Sequence, residues 1–221
     1  MQKVFCPGTF GGIFFIDMEA RTTPAEEIFE ALIEGILAQQ YGISDIFLPP
    51  EQLMNLRGQL LHKFENGYMQ PAGIGKLSAF ERNIQVRNDV IYWLDKANNP
   101  TEKAFLERVE SFIGYLNRTC FTGINAYEFH YAYYDTGSFY KRHIDQFRND
   151  SGRKFSLVVY LNEHWSDADG GHLILYRGEN DAVKVAPEGG RAVFVKADAV
   201  EHEVAPASRP RLSIAGWLKS L

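Results

Sequence analysis

From Tyr127 to the C-terminus the chain reads as one short extended run after another, and that succession limits its fold more than any other feature. Eight runs stand out, at about 126–134, 139–146, 154–162, 172–177, 182–186, 191–197, 202–205 and 210–218, most of them separated by Gly, Pro, Asn or Asp. Alternating apolar and polar positions mark half-buried strands, and turn-forming residues between them mark reversals. Eight such strands bury their apolar faces when they form two packed sheets, which predicts a jelly roll.

Helices are expected before the strands. Pro24 suits the first helical position after Thr23 as N-cap, and Ile28, Phe29, Leu32, Ile33, Ile36 and Leu37 recur at helical spacing. Gly42 reads as the stop. An extended segment at Phe47–Pro50 leads to a second helix, roughly Glu51 to Glu65, and a third is expected over Thr101 to Arg118. Between them Val90–Leu94 reads as a strand, and Pro71–Asp89 as a long loop of the kind that is often functional. The fold class expected is mainly β with N-terminal helices, about three of them bracing one sheet from outside. Residues 1–23 do not commit to strand, turn or disorder. The expected division is 1–45, an extension and helix, and 46–221, the main domain.

A net charge of −5 argues against a general attraction to nucleic acid. Cys6 and Cys120 are too few and too far apart for a disulfide scaffold, which suits a reducing, cytoplasmic setting. No basic region followed by a long apolar run marks a signal peptide, and Phe10–Ile16 is too short to span a bilayer, so no membrane association is expected.

His143-X-Asp145 lies in an expected strand, where side chains two apart point the same way. A distant strand carrying His202 would complete a set of two histidines and one carboxylate, the set that binds iron(II) on one face and leaves the other open. Arg211 shares a strand face with Ser213, Ala215 and Trp217, so it is placed to hold a dicarboxylic acid with room beside it. That combination points to an oxygenase. His62, His130, His164 and His172 lack such spacing and read as surface or hydrogen-bonded core residues. Glu201 and Glu203 flank His202, so their side chains should point away from the metal, which leaves a zinc hydrolase without a general base.

The ordered set Tyr134-X-X-Gly137-X-X-Tyr140-X-X-His143-X-Asp145, Leu157-Val-Val-Tyr160-Leu-Asn162, Gly170-Gly171, Gly190-Arg191, His202-Glu-Val204 and Arg211-X-Ser213-Ile214-X-X-Trp217 resembles the prolyl 4-hydroxylase family of iron(II)/2-oxoglutarate oxygenases. The likeness spans about 46–218. Phe47–Pro50, Ala72–Gly75 and Arg87–Leu94 look closest to the oxygen-sensor type and its bacterial relatives.

The resemblance implies a double-stranded β-helix with Fe(2+) on His143, Asp145 and His202. It implies 2-oxoglutarate and O2 as cosubstrates, with ascorbate as a supporting reductant. Tyr160 and Arg211 would bind the far carboxylate of 2-oxoglutarate, with Tyr134 near it and Trp217 as a wall. Halogenating relatives lose the carboxylate ligand, so Asp145 argues for hydroxylation. The implied reaction is C4 hydroxylation of a prolyl residue in an intracellular protein, with succinate and CO2 as co-products. A protein with a proline in an exposed loop is the expected partner, a translation factor by likeness to bacterial relatives. The Pro71–Asp89 loop resembles the one that closes over peptide. The Arg-X-Asn-X-Thr-X-Arg pattern of nucleic-acid demethylases is absent from the last strand. Two alternatives stay open: hydroxylation of a free amino acid or small metabolite, and a non-enzymatic sensor of oxoglutarate or metal.

Overall fold

The computed structural model describes residues 23–73, 85–146, 152–178 and 181–221. Three helices are seen among them: α1 (Pro24–Gln39), α2 (Pro50–Glu65) and α3 (Pro100–Cys120). Each opens on a proline, whose missing N–H costs nothing in a first turn. Thr23 closes a reciprocal cap on α1, its hydroxyl accepting from the Glu26 N–H while the Glu26 carboxylate accepts from the Thr23 N–H. Asn99 caps α3, accepting from the Glu102 N–H at 2.9 Å.

The strands are β1 (Tyr41–Ser44), β2 (Gln70–Pro71), β3 (Val90–Trp93), β4 (Ala126–Tyr134), β5 (Tyr140–His143), β6 (Arg153–Tyr160), β7 (Leu173–Tyr176), β8 (Ala182–Val185), β9 (Ala192–Lys196), β10 (Glu201–Val204) and β11 (Arg211–Lys219). They form two antiparallel sheets. The larger runs β1-β9-β6-β11-β4-β3-β2 and the smaller β5-β10-β7-β8. All eight strands expected beyond Ala126 are present, and together they make a jelly-roll core.

Strand alternation divides the core into two layers. On one face of the larger sheet Phe129, Tyr131, Leu212, Ile214 and Leu218 pack against the helices, which contribute Phe29, Leu32, Leu56, Leu60, Phe105 and Phe112. Full burial of each such side chain stabilises by roughly 1.5–3 kcal/mol, so the helices are what keeps this face out of water. On the opposite face Ala132, Tyr134, Tyr160, Val193 and Val195 meet Leu173, Leu175 and Val204 of the smaller sheet. The site lies at one end of this second layer.

Two local expectations are corrected. Gly42 does not end α1. Gln40 does, in the left-handed region (φ 68°), with its N–H donating to the Ile36 carbonyl at 3.0 Å. Gly42 lies instead in β1, where helix and strand touch so closely that a Cβ would fall 2.1 Å from the Leu32 carbonyl oxygen. Asp145 is the second case: β5 ends at His143, so the carboxylate sits in a bend beyond the strand. The strand β10 begins at Glu201, one residue before His202, so the antiparallel ladder that pairs His202 with His143 has almost nothing left to carry β5 further.

β1 is an edge strand of the larger sheet, and α1 packs Phe29 against Phe112 of α3 with ring centroids 4.8 Å apart, so residues 24–44 are built into the same core. Of the Pro71–Asp89 segment, residues 74–84 lie outside the described residues. Among the described residues no helix is long and apolar enough to cross a membrane.

Candidate active site

The site grows from two pairings. In the smaller sheet His143 of β5 stands directly across from His202 of β10, with ring centroids 4.3 Å apart. In the larger sheet Arg211 of β11 stands across from Tyr134 of β4, and Ser213 across from Tyr160 of β6. The two sheets face each other, so His143, His202, Tyr134, Arg211 and Ser213 open into one cavity, which Asp145, Ser156, Ala215 and Trp217 also line, with the Tyr160 ring beside Arg211.

The three candidate metal ligands converge although Asp145 lies outside the strand. His143 Nε2 is 3.5 Å from Asp145 Oδ1, and His202 Nε2 is 3.5 Å from Asp145 Oδ2. One ligand atom from each lies within 4.8 Å of the others. Ligands about 2.0–2.2 Å from an ion lie about 3 Å apart at right angles, so little movement is needed to seat a cation. His143 Nδ1 is 2.7 Å from the Lys141 carbonyl oxygen and His202 Nδ1 is 3.1 Å from that of Val200. A carbonyl only accepts, so both Nδ1 atoms carry the proton and both Nε2 lone pairs are free for a metal. Side-chain exposure is 17% for His143, 11% for Asp145 and 10% for His202. Burial would raise the Asp145 pKa, yet His202, His143 and the Ser156 hydroxyl together hold it well below the usual carboxylate range. Burial pushes His202 down, which favours the neutral ligand form.

The other end of the cavity is built for an anion. Arg211 is 2% exposed. Its Nε donates to the Gly171 carbonyl at 2.9 Å, and its guanidinium lies 4.9 Å from the Tyr160 ring centre and 5.2 Å from that of Tyr134. Among the described residues no carboxylate pairs with it. The Tyr160 hydroxyl is buried without a hydrogen-bond partner. A buried cation without a counter-charge costs several kcal/mol, and an unpaired buried hydroxyl adds to that. A carboxylate here relieves both. Burial raises the Tyr160 and Tyr134 pKa values, so both phenols remain protonated donors. Gly171 has φ +66°, and a Cβ there would meet Ala207 at 2.9 Å and Arg211 Cδ at 3.4 Å. Glycine therefore lets this carbonyl approach and hold the arginine.

Around the histidines, Tyr140 stacks on His143 with centroids 3.6 Å apart, and the Arg87 guanidinium lies 4.4 Å from the Tyr140 ring centre. Arg87 pairs in a fork with Asp89, at 2.8 and 2.6 Å, and both are buried. Glu201 is exposed and bonds Arg142 at 2.6 Å, away from the cavity.

His130 is a core residue, 3% exposed, but with an Nδ1 that has no partner among the described residues, and it lines the cavity between Trp93 and Trp217, a placement the sequence reading did not include. Its spacing from the other histidines gave no warning. Its position on the inward face of β4, in register with Ala215, was the available signal. Ser156 went unremarked for a similar reason, since it reaches the cavity only through the register of β6 with β11.

A family model described as the 2OG-Fe(II) oxygenase superfamily matches residues 129–219. Among solved structures, the chain is similar to a prolyl-4-hydroxylase of Pseudomonas putida, with 30% identity, a TM-score of 0.81, and coverage of 87% of this chain and 99% of that one. It is also similar to a prolyl hydroxylase of Trichoplax adhaerens solved with a hypoxia-inducible-factor peptide, with 28% identity, a TM-score of 0.80, and coverage of 89% and 90%. A prolyl 4-hydroxylase of Phytophthora capsici shares the fold at 19% identity, a TM-score of 0.71, and coverage of 96% and 68%.

Proposed function

Since this chain belongs to the 2OG-Fe(II) oxygenase superfamily, within its prolyl 4-hydroxylase family, we propose that it hydroxylates C4 of a prolyl residue in an intracellular, cytoplasmic protein. As a member it is an Fe(II)- and 2-oxoglutarate-dependent dioxygenase, with O2 as the second cosubstrate. The observation that most supports the cosubstrate reading is the fully buried Arg211 beside the orphaned Tyr160 hydroxyl. The likeness to the two prolyl hydroxylases, one of them holding a peptide, supports the prolyl reading.

In this reading His143, Asp145 and His202 hold the iron, and Arg211 and Tyr160, with Tyr134 alongside, take the far carboxylate of 2-oxoglutarate. The bound iron supplies oxidising power, coupling decarboxylation of 2-oxoglutarate to succinate and CO2 with insertion of one oxygen atom into a C–H bond. The protein's own work is placement. The two backbone carbonyls fix the histidine tautomers, and the Gly171 carbonyl aims Arg211. Tyr140 and Trp217 wall the cavity with apolar surface, which keeps water from the reacting atoms. A protein with a proline in an exposed loop is the proposed partner, a translation factor being the first candidate.

The test is succinate formation by iron-loaded protein with 2-oxoglutarate, ascorbate and air, with and without proteins from its own cell, followed by mass spectrometry for a 16 Da gain on proline. Protein-dependent succinate with hydroxyproline in a defined target supports the proposal. Succinate with no modified protein moves the substrate to a free amino acid or small metabolite. A protein that binds metal yet forms no succinate would be a sensor.

A further inference from the structure

Asp145 stands apart from the other two candidate ligands in how it is held. His143 and His202 are fixed by strand pairing and by their Nδ1 bonds. Asp145 has no strand around it. Its carboxylate is held from the opposite sheet, where the Ser156 hydroxyl of β6 lies 2.6 Å from Oδ2. Ser156 is 3% exposed, faces the cavity, and is locked in place by pairing with Trp217 of β11 and Val195 of β9.

We infer that Ser156 is a positioning residue for the metal, a role that rests on the metal reading of the triad. The ionised carboxylate only accepts, so the hydroxyl donates. The bond occupies one lone pair of Oδ2 and fixes the rotation of the carboxylate plane. Oδ1 is left with both lone pairs free, 3.5 Å from His143 Nε2. Oδ1 would therefore be the freer of the two oxygens toward a metal held by His143, Asp145 and His202. The backbone of the bend is tied by Gln146, whose N–H donates to the Ala197 carbonyl at 3.0 Å and whose side chain donates to the Arg153 carbonyl at 2.9 Å. These contacts set where the bend lies, and Ser156 sets which way its carboxylate turns.

The experiment is a Co(II) titration of metal-free protein, followed by its visible absorption bands, for wild type, Ser156→Ala and Ser156→Thr. Loss of a group that orients a metal ligand typically weakens metal binding by about 10–100-fold. Ser156→Ala should show that loss, with altered bands and a metal-free thermal midpoint close to wild type. Ser156→Thr keeps the hydroxyl on a residue suited to a strand and should restore most of the affinity. Wild-type Co(II) affinity in Ser156→Ala overturns the inference and leaves the triad intact. Equal weakening in both variants, each folded by circular dichroism, also overturns it. A wild-type protein that itself binds no Co(II) sinks the metal reading of the triad, and this inference with it.

Discussion

Arg211 and Gly171 are joined by a 2.9 Å hydrogen bond from the guanidinium Nε to the glycine carbonyl, and this one contact orients a buried cation toward Tyr134 and Tyr160. The remaining guanidinium nitrogens have no carboxylate partner among the described residues. The expected ligand is therefore an anion, and removing the cation should cost anion binding first. Arg211→Ala should raise the 2-oxoglutarate requirement about 100-fold, a loss of about 2.7 kcal/mol, with Co(II) binding retained. Arg211→Lys should recover only part, since a point charge does not reproduce the fork. Unchanged 2-oxoglutarate affinity in Arg211→Ala, by calorimetry on metal-loaded protein, would move the carboxylate site elsewhere.

Tyr160 should show opposite signs for stability and binding. Its hydroxyl is buried and unpaired in the ligand-free protein, and such a group destabilises the fold by about 1–3 kcal/mol. Tyr160→Phe should leave the ligand-free thermal midpoint equal to or above wild type. The same change should weaken 2-oxoglutarate by about tenfold or more, the worth of a hydrogen bond to a charged group. A variant less stable than wild type without ligand would mean that the hydroxyl is satisfied in solution.

The strands were legible because each carries alternating character and a turn signal, and all eight beyond Ala126 appear where expected. What escaped reading was set by partners distant in sequence. β1 is four residues long and holds a glycine, so Gly42 looked like a helix stop; its real constraint is the backbone of Leu32, visible only once α1 lies on the sheet. The alternation rule placed His143 and Asp145 on one strand face. The structure brings them together by a bend instead, because β10 begins at Glu201 and its ladder with β5 ends at the His143–His202 pair. Arg211, Ser213, Ala215 and Trp217 do share a face, since the β11 ladder runs unbroken against β4. His130 and Ser156 carry no local motif, and only the neighbours in the sheet turn them into cavity residues.

The Arg87–Asp89 pair beside Tyr140 is a buried ion pair, and its two members should behave very differently alone and together. Burial alone would lower the Arg87 pKa; the Asp89 carboxylate more than reverses that and raises it above the ordinary arginine value. Asp89→Ala leaves a guanidinium that is 8% exposed without its partner and should cost about 3–5 kcal/mol in urea denaturation. Replacing both, Arg87→Met with Asp89→Leu, should recover most of that loss, because neither charge then needs solvation. A double variant as unstable as Asp89→Ala would show that packing, not unpaired charge, dominates here.

His130 sets an acid limit on the fold. Burial, and the repulsion of Arg87, lower its pKa to about 3. In the unfolded chain it should titrate near 6.5, so below that pH the unfolded state binds a proton that the folded state refuses. Stability is then full above about pH 6.5 and falls as pH drops, by up to about 1.4 kcal/mol per unit from this residue, until the folded pKa is reached. His202 is shifted the same way, and the lowered Asp145 adds loss at still lower pH, so the wild-type slope is a sum. His130→Phe removes one contributor while filling a similar volume between Trp93 and Trp217. The fall in stability of metal-free protein between pH 6.5 and 4.5 should become shallower by close to one proton equivalent in the variant. An unchanged slope would mean that His130 takes up its proton in the folded state, with its free Nδ1 reaching water or an anion in the cavity.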